Sequence, residues 1–183
     1  MVAYSFDRFN VLVVDDNGFM RMMLQTVLHA LGVGNVITAG DGGEAIAFLK
    51  NVKEDPAAAG VSNIDMVFSN WEMSPVDGAM LLKWTRRHRD SPDRFMPFVM
   101  VSGYADRDKV QEARDLGTSE FLVKPFSVDS LCSRLMILID RPRQFVLTPH
   151  YFGPDRRRRE VEPESSERRL RGEGDAEIHY DNR

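Results

Sequence analysis

The chain has 183 residues, of which 43% are hydrophobic, and a formal net charge of −4 at pH 7. This length suits one ordinary domain with an appendage, and the weak negative charge gives no general attraction to nucleic acid or anionic lipid. A single cysteine, Cys132, excludes an internal disulfide and fits a reducing compartment. Residues 1–10 lack the apolar core of a secretory signal, and no stretch is long and apolar enough to span a membrane, so a cytoplasmic location is expected.

The first strand is predicted at residues 11–14, where apolar residues follow one another without polar alternation, as in a parallel strand covered on both faces. Asn17 can cap the helix that follows, whose apolar side chains recur three or four residues apart over residues 19–31. A second strand is predicted at residues 36–39. Asp41 resembles the start of a capping box for the second helix.

Three more strand–helix pairs follow along the chain. The strands are predicted at residues 64–69, 98–101 and 120–123, and their helices begin near Asp77, at Asp106 and at Ser127. The long connection at residues 52–63 is interpreted as a surface insertion. Five successive βα units predict an α/β fold in which a doubly wound parallel sheet carries helices on both faces.

Polar residues stand where four of the predicted strands end: Asp15, Asp16, Asn70, Ser102 and Lys124. In open α/β sheets the functional crevice lies at these carboxyl ends. Taken singly, each residue has an ordinary structural interpretation, as a helix cap, a turn residue or a solvated lysine. Together they favour a site for metal-assisted phosphoryl transfer, because carboxylates hold Mg²⁺ and lysine is a point charge for phosphate. A carboxylate can attack phosphorus, whereas the carboxamide of Asn70 is a far weaker nucleophile.

Residues 9–140 resemble the receiver domain of bacterial two-component response regulators. The matching motifs are VLVVDDN (11–17), DMVFSNWEM (65–73) with Asp77-Gly78, VSG (101–103) and EFLVKPF (120–126). The resemblance implies a flavodoxin-like fold with the strand order 2-1-3-4-5.

The resemblance also implies roles for single residues. Asn70 stands at the phosphoacceptor position, which is nearly always Asp, and Ser102 and Lys124 stand where the family contacts the phosphoryl group. Ser102 and Phe121 match the switch pair of the family. The metal ligands implied are Asp15, Asp16, Asn70 and the backbone carbonyl of Glu72. Because Asn70 removes one negative charge, Mg²⁺ binding is expected to be weakened.

In function, the resemblance implies a signalling protein that is not an enzyme, has no output domain and acts by protein–protein interaction as a pseudo-receiver. The partners implied are a histidine kinase or histidine phosphotransfer protein and a downstream protein target, and a homodimer stays open. The alternative is an ordinary phosphoacceptor regulator captured as an Asp→Asn variant at position 70. A flavodoxin-like enzyme is disfavoured, because the chain lacks a GxGxxG or GxxxxGK[ST] phosphate loop.

The ends of the chain are predicted to divide into a lead at residues 1–8, a tail motif at 141–159 and a disordered tail at 160–183. The motif resembles a C-terminal extension of some alphaproteobacterial single-domain receivers, which ends in FGPDRRR. Its anchors are Phe145, Tyr151, Phe152, Arg156, Arg157 and Arg158. They suit docking on a protein surface, either a partner or the chain's own receiver near Phe121 and the last helix; a partly ordered solubility tail is the alternative. Nucleic-acid binding is disfavoured because glutamates follow the arginines directly.

Overall fold

A parallel β-sheet of five strands forms the centre of the fold. Its strands are β1 (Asn10–Val14), β2 (Asn35–Ala39), β3 (Met66–Asn70), β4 (Phe98–Ser102) and β5 (Glu120–Val123). Their order is β2-β1-β3-β4-β5, and every neighbouring pair is parallel, which confirms the predicted flavodoxin-like α/β fold. The computed structural model describes residues 6–104 and 106–156 and, as backbone, residues 177–179.

Six helices connect or follow these strands: α1 (Gly18–Ala30), α2 (Gly42–Glu54), α3 (Pro56–Ala59), α4 (Gly78–Arg87), α5 (Arg107–Leu116) and α6 (Val128–Asp140). The short α3 lies within the connection interpreted as an insertion. Five side chains cap the other helices by accepting backbone N–H bonds in the first turn: Asn17, Asp41, Asp77, Asp106 and Ser127. Each such cap typically contributes about 1 kcal/mol.

The sheet buries an apolar layer on each face. On one face, Leu12, Val67 and Met100 pack against α2, α4 and α5; on the other, Val13, Phe68 and Val99 pack against α1 and α6. Successive strand residues therefore point into different layers, as the pleat requires. This double coverage explains why the strands read as continuous apolar runs.

Phe19, in the apolar stripe predicted for the first helix, and Met80 in α4 lie outside these layers. Phe19 in α1 is 67% exposed and Met80 in α4 is 55% exposed. Both lie in the first turn of a helix, at the carboxyl edge of the sheet, where no strand remains to cover them. In α4 the buried positions are instead Gly78, Leu81, Leu82, Thr85 and Arg86.

The chain after α6 forms a second, small antiparallel sheet. Its strands are β6 (Phe145–Leu147), β7 (Phe152–Pro154) and β8 (Glu177–His179), in the order β7-β6-β8. A disordered tail was predicted at residues 160–183, of which the structure describes residues 177–179, as a strand. Residues 157–176 and 180–183, with the predicted anchors Arg157 and Arg158, lie outside the described residues. Within the described chain, no helix combines the length and the apolar character that crossing a membrane requires.

Candidate functional site

The polar residues at the strand ends meet at the carboxyl edge of the sheet. Lys124 links three of them: its Nζ lies 2.6 Å from Asp15 Oδ2 and 3.1 Å from Asn70 Oδ1, and its backbone N–H donates to the carbonyl of Ser102 at 2.7 Å. The order of the sheet places β1, β3, β4 and β5 side by side, so residues far apart in sequence become neighbours. We call this set, with Asp16 and Glu72, the carboxyl-edge site.

Asp15 is the most enclosed member, at 1% exposure. Both of its carboxylate oxygens are used: Oδ2 accepts from Lys124, and Oδ1 accepts from the backbone N–H of Asn17 at 2.9 Å. A buried carboxylate needs such compensation, because an unpaired buried charge is strongly destabilising. The guanidinium of Arg21 also donates to the backbone carbonyl of Asp15.

The carboxamide of Asn70 lies between the lysine and two oxygen acceptors. Its Oδ1 accepts from Lys124, while its Nδ2 donates to Asp16 Oδ1 at 3.2 Å and to the carbonyl of Glu72 at 2.6 Å. These contacts agree on one orientation of the amide, with the oxygen toward the ammonium group and the nitrogen toward the two oxygens. Asn70 therefore bridges the cationic and the anionic halves of the site.

The backbone beneath Asn70 leaves no room for a side chain at Gly78. A Cβ built on Gly78 would lie 2.1 Å from the carbonyl oxygen of Asn70, and the N–H of Gly78 donates to the carbonyl of Trp71 at 3.0 Å. This close approach sets the start of α4 directly against the end of β3. It accounts for the Asp77-Gly78 pair that follows the third strand.

Ser102 and Phe121 occupy neighbouring strands. Ser102 is buried, and its hydroxyl accepts from the backbone N–H of Tyr104 at 3.0 Å. Phe121 pairs in register with Met100, two residues before Ser102, and is partly buried against the layer that contains α4 and α5. Ser102 therefore meets the site through its backbone carbonyl, whereas Phe121 lies further back along the sheet.

The oxygen donors of the site match the chemistry of Mg²⁺, which prefers carboxylates and carbonyls. Asp16 and the carbonyl of Glu72 do converge, but on Asn70 Nδ2, which is a hydrogen-bond donor. Asp15 is committed to Lys124 and Asn17. Among the described residues, no group of three or more His, Cys, Asp or Glu is placed to hold a metal ion. As arranged, these residues do not fit the ion.

Two cationic residues near the site were not predicted from the sequence. Arg21 lies one turn after Asn17 on α1, and Lys109 Nζ lies 4.5 Å from the ring centroid of Trp71. For Arg21 the available signal was its spacing of one helical turn from the capping residue. No pattern pointed to Lys109, because the contact joins α5 to the loop after β3.

The tail motif docks on its own receiver, at the edge opposite the carboxyl-edge site. We call residues 141–156 the cap. Phe145 and Phe152 are buried and form an aromatic cluster with Phe95, with ring centroids 5.1–5.5 Å apart. The guanidinium of Arg94 lies 3.8 Å from the ring centroid of Phe152. Phe95 and Arg94 precede β4, so the cap covers the amino ends of the strands.

Arg86 is the buried centre of this contact. Its guanidinium donates to the carbonyls of Gly117, Arg94 and Met96 at 2.8–3.0 Å and lies 5.2 Å from the ring centroid of Phe145. Burial lowers the pKa of Arg86 to about 10, so the side chain stays charged at neutral pH. The burial of Arg86 was not predicted from the sequence, because an arginine in a helix is normally expected at the surface.

A glycine and several ion pairs complete the docking of the cap. Gly117, at φ 91°, ends α5, and a Cβ there would lie 2.7 Å from the carbonyl oxygen of Phe152. Arg143 and Arg134 both pair with Glu120, at 3.2 and 3.1 Å. Arg156 forms an ion pair with Asp115 at 2.8 Å and lies over the ring of Tyr151. Arg87 donates a hydrogen bond to the carbonyl of His150.

Burial raises the pKa of the Tyr151 phenol, whose hydroxyl donates to the carbonyl of Pro154.

Comparison with known proteins gives consistent matches over the receiver region. The sequence model of the family described as "Response regulator receiver domain" matches residues 11–136. Chemotaxis protein CheY-3 of Vibrio cholerae is 30% identical over 131 residues, which cover 72% of this chain and 92% of that protein. The structure of chemotaxis protein CheY4 of Vibrio cholerae, at 30% identity, superimposes with a TM-score of 0.58 over 70% of this chain and 96% of that one. The structure of the CheX–CheY–BeF₃–Mg²⁺ complex of Borrelia burgdorferi, at 27% identity, superimposes with a TM-score of 0.60 over 72% of this chain and 89% of that one.

Proposed function

The chain belongs to the response regulator receiver family, whose members are signalling proteins, and we propose that it signals through protein–protein contacts without accepting a phosphoryl group at position 70. The observation that supports this is the Asn70 carboxamide itself. It lies at the end of β3, 3.1 Å from Lys124 Nζ. From the sequence resemblance, we take this as the position at which receivers carry their acceptor carboxylate. A neutral carboxamide cannot form the acyl phosphate that a carboxylate forms.

The surface proposed for signalling consists of α5, β5 and α6, with Phe121 at its centre. Phe121 lies on β5, next to the strand that carries Ser102, so its position depends on the packing behind the site. The cap touches this surface through Asp115 at the end of α5 and Glu120 at the start of β5. We therefore propose that the cap modulates partner binding by holding the end of α5 and the start of β5.

The partners proposed are a histidine kinase or a histidine phosphotransfer protein, and a downstream protein target. A CheY-like relative is assembled with CheX in a solved complex, which supports protein partners for this fold. A homodimer through the same surface is a further proposal. Such partners and the single cysteine are consistent with a cytoplasmic protein.

Receiver domains generally bind Mg²⁺ at their acidic site. In this chain Asp15, Asp16 and the carbonyl of Glu72 are the residues that would contribute, with Asn70 in place of a charged ligand. We propose that binding is weaker than in a receiver with Asp at this position, because one negative charge is missing.

Incubation with acetyl phosphate and Mg²⁺ tests the proposal directly. Intact mass is measured for the wild-type chain, for Asn70→Asp, and for Asn70→Asp combined with Lys124→Ala as a control for the remaining chemistry. We expect a gain of one phosphoryl group only in Asn70→Asp. A phosphoryl group on the wild-type chain would contradict the proposal.

The alternative function is an ordinary phosphoacceptor regulator whose natural residue at position 70 is Asp. It is favoured by the rest of the carboxyl-edge site, where Lys124, Asp15 and Ser102 are all assembled. Nucleic-acid binding by the tail arginines is disfavoured further, since Arg156 is engaged with Asp115 and Tyr151. Arg157 and Arg158 lie outside the described residues.

A further inference from the structure

We propose that the Asn70 carboxamide takes the place of the divalent cation, so that the carboxyl-edge site is held together without metal. This goes further than weakened binding, because it predicts that the amide actively competes with Mg²⁺. The inference rests on the proposed function, since it takes Asn70 as the residue the protein uses.

The first argument is the position of Asn70 Nδ2. The nitrogen lies 3.2 Å from Asp16 Oδ1 and 2.6 Å from the carbonyl of Glu72. Asp16 follows β1 and Glu72 follows β3, so two separate segments direct oxygen atoms at one point. Such a pair of acceptors needs a cation or a donor between them, and here the two N–H bonds of the amide supply it.

The second argument is the orientation of the amide. Rotating the group by half a turn would place Nδ2 against Lys124 Nζ, which is a donor as well, and Oδ1 against two acceptors. A bound Mg²⁺ would require this rotation if Asn70 were to ligate it through oxygen. Metal binding must therefore break three hydrogen bonds of Asn70 and bring a second donor to the lysine.

The third argument concerns Asp15 and the charge of the site. Asp15 has Lys124 on one carboxylate oxygen and the backbone N–H of Asn17 on the other, so both oxygens are already compensated without a metal. Among the side chains joined by Lys124 and Asn70, Asp15 and Lys124 neutralise each other and Asp16 is the remaining charge. The guanidinium of Arg21, on the carbonyl of Asp15, adds a positive charge nearby. Three carboxylates facing one lysine would leave two charges. The amide thus lowers the demand for a cation as well as filling its place.

The inference is tested by Mg²⁺ titration of the full chain in a Trp84→Phe background, where Trp71 is the only tryptophan. Trp71 is 4% exposed and lies between Asn70 and Glu72 in sequence, so its fluorescence reports on the site. The proteins compared are the wild type, Asn70→Asp, Asn70→Ala, and Asn51→Asp. Asn51 is exposed on α2, so the last variant controls for general charge effects.

We expect no saturable response of the wild type or of Asn51→Asp at millimolar Mg²⁺. Asn70→Asp should bind at least about tenfold more tightly than the wild type. Asn70→Ala is the decisive variant, because it removes the amide and leaves its acceptors unfilled. It should bind Mg²⁺ more tightly than the wild type, although it has one ligand fewer.

Tighter binding by the wild type than by Asn70→Ala would overturn the inference, because Asn70 would then be a metal ligand. The inference would also be overturned if the wild type bound Mg²⁺ with an affinity within a few-fold of that of Asn70→Asp. Melting midpoints with and without Mg²⁺ provide a second readout, since a ligand of the native state raises the midpoint. The proposed function is contradicted by a different result, a phosphoryl group on the wild-type chain. A wild-type chain that binds Mg²⁺ but is not phosphorylated therefore overturns only the inference.

Discussion

At position 70, the exchange of a carboxylate oxygen for an NH₂ group changes both the charge and the direction of hydrogen bonding. In metal-free solution, Asn70→Asp would place a third carboxylate next to Asp16 and the carbonyl of Glu72, where Nδ2 now donates. We expect it to lower the free energy of unfolding by about 1–2 kcal/mol. Thermal or urea unfolding in EDTA measures this, with Asn51→Asp as the control. An equal or higher midpoint for Asn70→Asp would contradict the expectation.

Arg86 is the residue on which the opposite edge depends. Arg86→Met keeps much of the apolar volume but leaves the carbonyls of Gly117 and Met96 without their donor. We expect a loss of about 3–5 kcal/mol, because each buried carbonyl left without a donor costs about 1–3 kcal/mol. Urea unfolding is the measurement, and Arg89→Met is the matched control, because the side chain of Arg89 is 92% exposed. A loss below 1 kcal/mol would show that the network contributes little.

At the scale of elements, the strand–helix alternation and the strand ends were predictable because each depends on local sequence. Apolar runs mark strands covered on both faces, and a polar residue directly after a run marks the carboxyl edge. The burial of Arg86 was not predictable, because its carbonyl acceptors come from two separate segments, one before β4 and one after α5, that only the folded chain brings together. The orientation of the Asn70 amide was not predictable for the same reason. Phe19 and Met80 are exposed because the sheet ends before it reaches them. The spacing of apolar residues along a helix does not show where the sheet beneath it ends.

The hairpin of β6 and β7 contributes to stability through two aromatic side chains. Phe152→Ala removes a ring that contacts Phe95, Phe145 and the guanidinium of Arg94. We expect the free energy of unfolding to fall by about 3–4 kcal/mol, the cost typical of a buried Phe→Ala change. Phe19→Ala is the control, since this ring is largely exposed, and its effect should stay within about 0.5 kcal/mol. Similar losses in both variants would mean that the cap is loosely held.

At the scale of the whole molecule, α4 runs from the carboxyl-edge site to the cap. Its first residue, Gly78, lies against the backbone of Asn70, and its last, Arg87, donates to the carbonyl of His150 at 3.1 Å. A helix of 10 residues spans about 15 Å. The two edges of the sheet therefore share one rigid element, while their side chains form separate networks. Changes in the cap should alter stability more than they alter the chemistry of the site.

Removal of the cap tests this division. A chain ended after Asp140 loses Phe145 and Phe152, uncovers the guanidinium of Arg86, and removes one of the two arginines paired with Glu120. We expect its melting midpoint to fall by roughly 8–16 °C, as for a loss of about 4 kcal/mol in a chain of this size, at least the loss expected for Phe152→Ala. A chain ended after Arg156 keeps the described side-chain contacts of the cap and loses the pairing of β8 with β6, so it should melt closer to the full chain than the chain ended after Asp140. Equal midpoints for the two shortened chains would show that the cap is a passive appendage. With Asn70→Asp added, both shortened chains should still gain one phosphoryl group from acetyl phosphate and Mg²⁺, because the site lies at the other edge of the sheet.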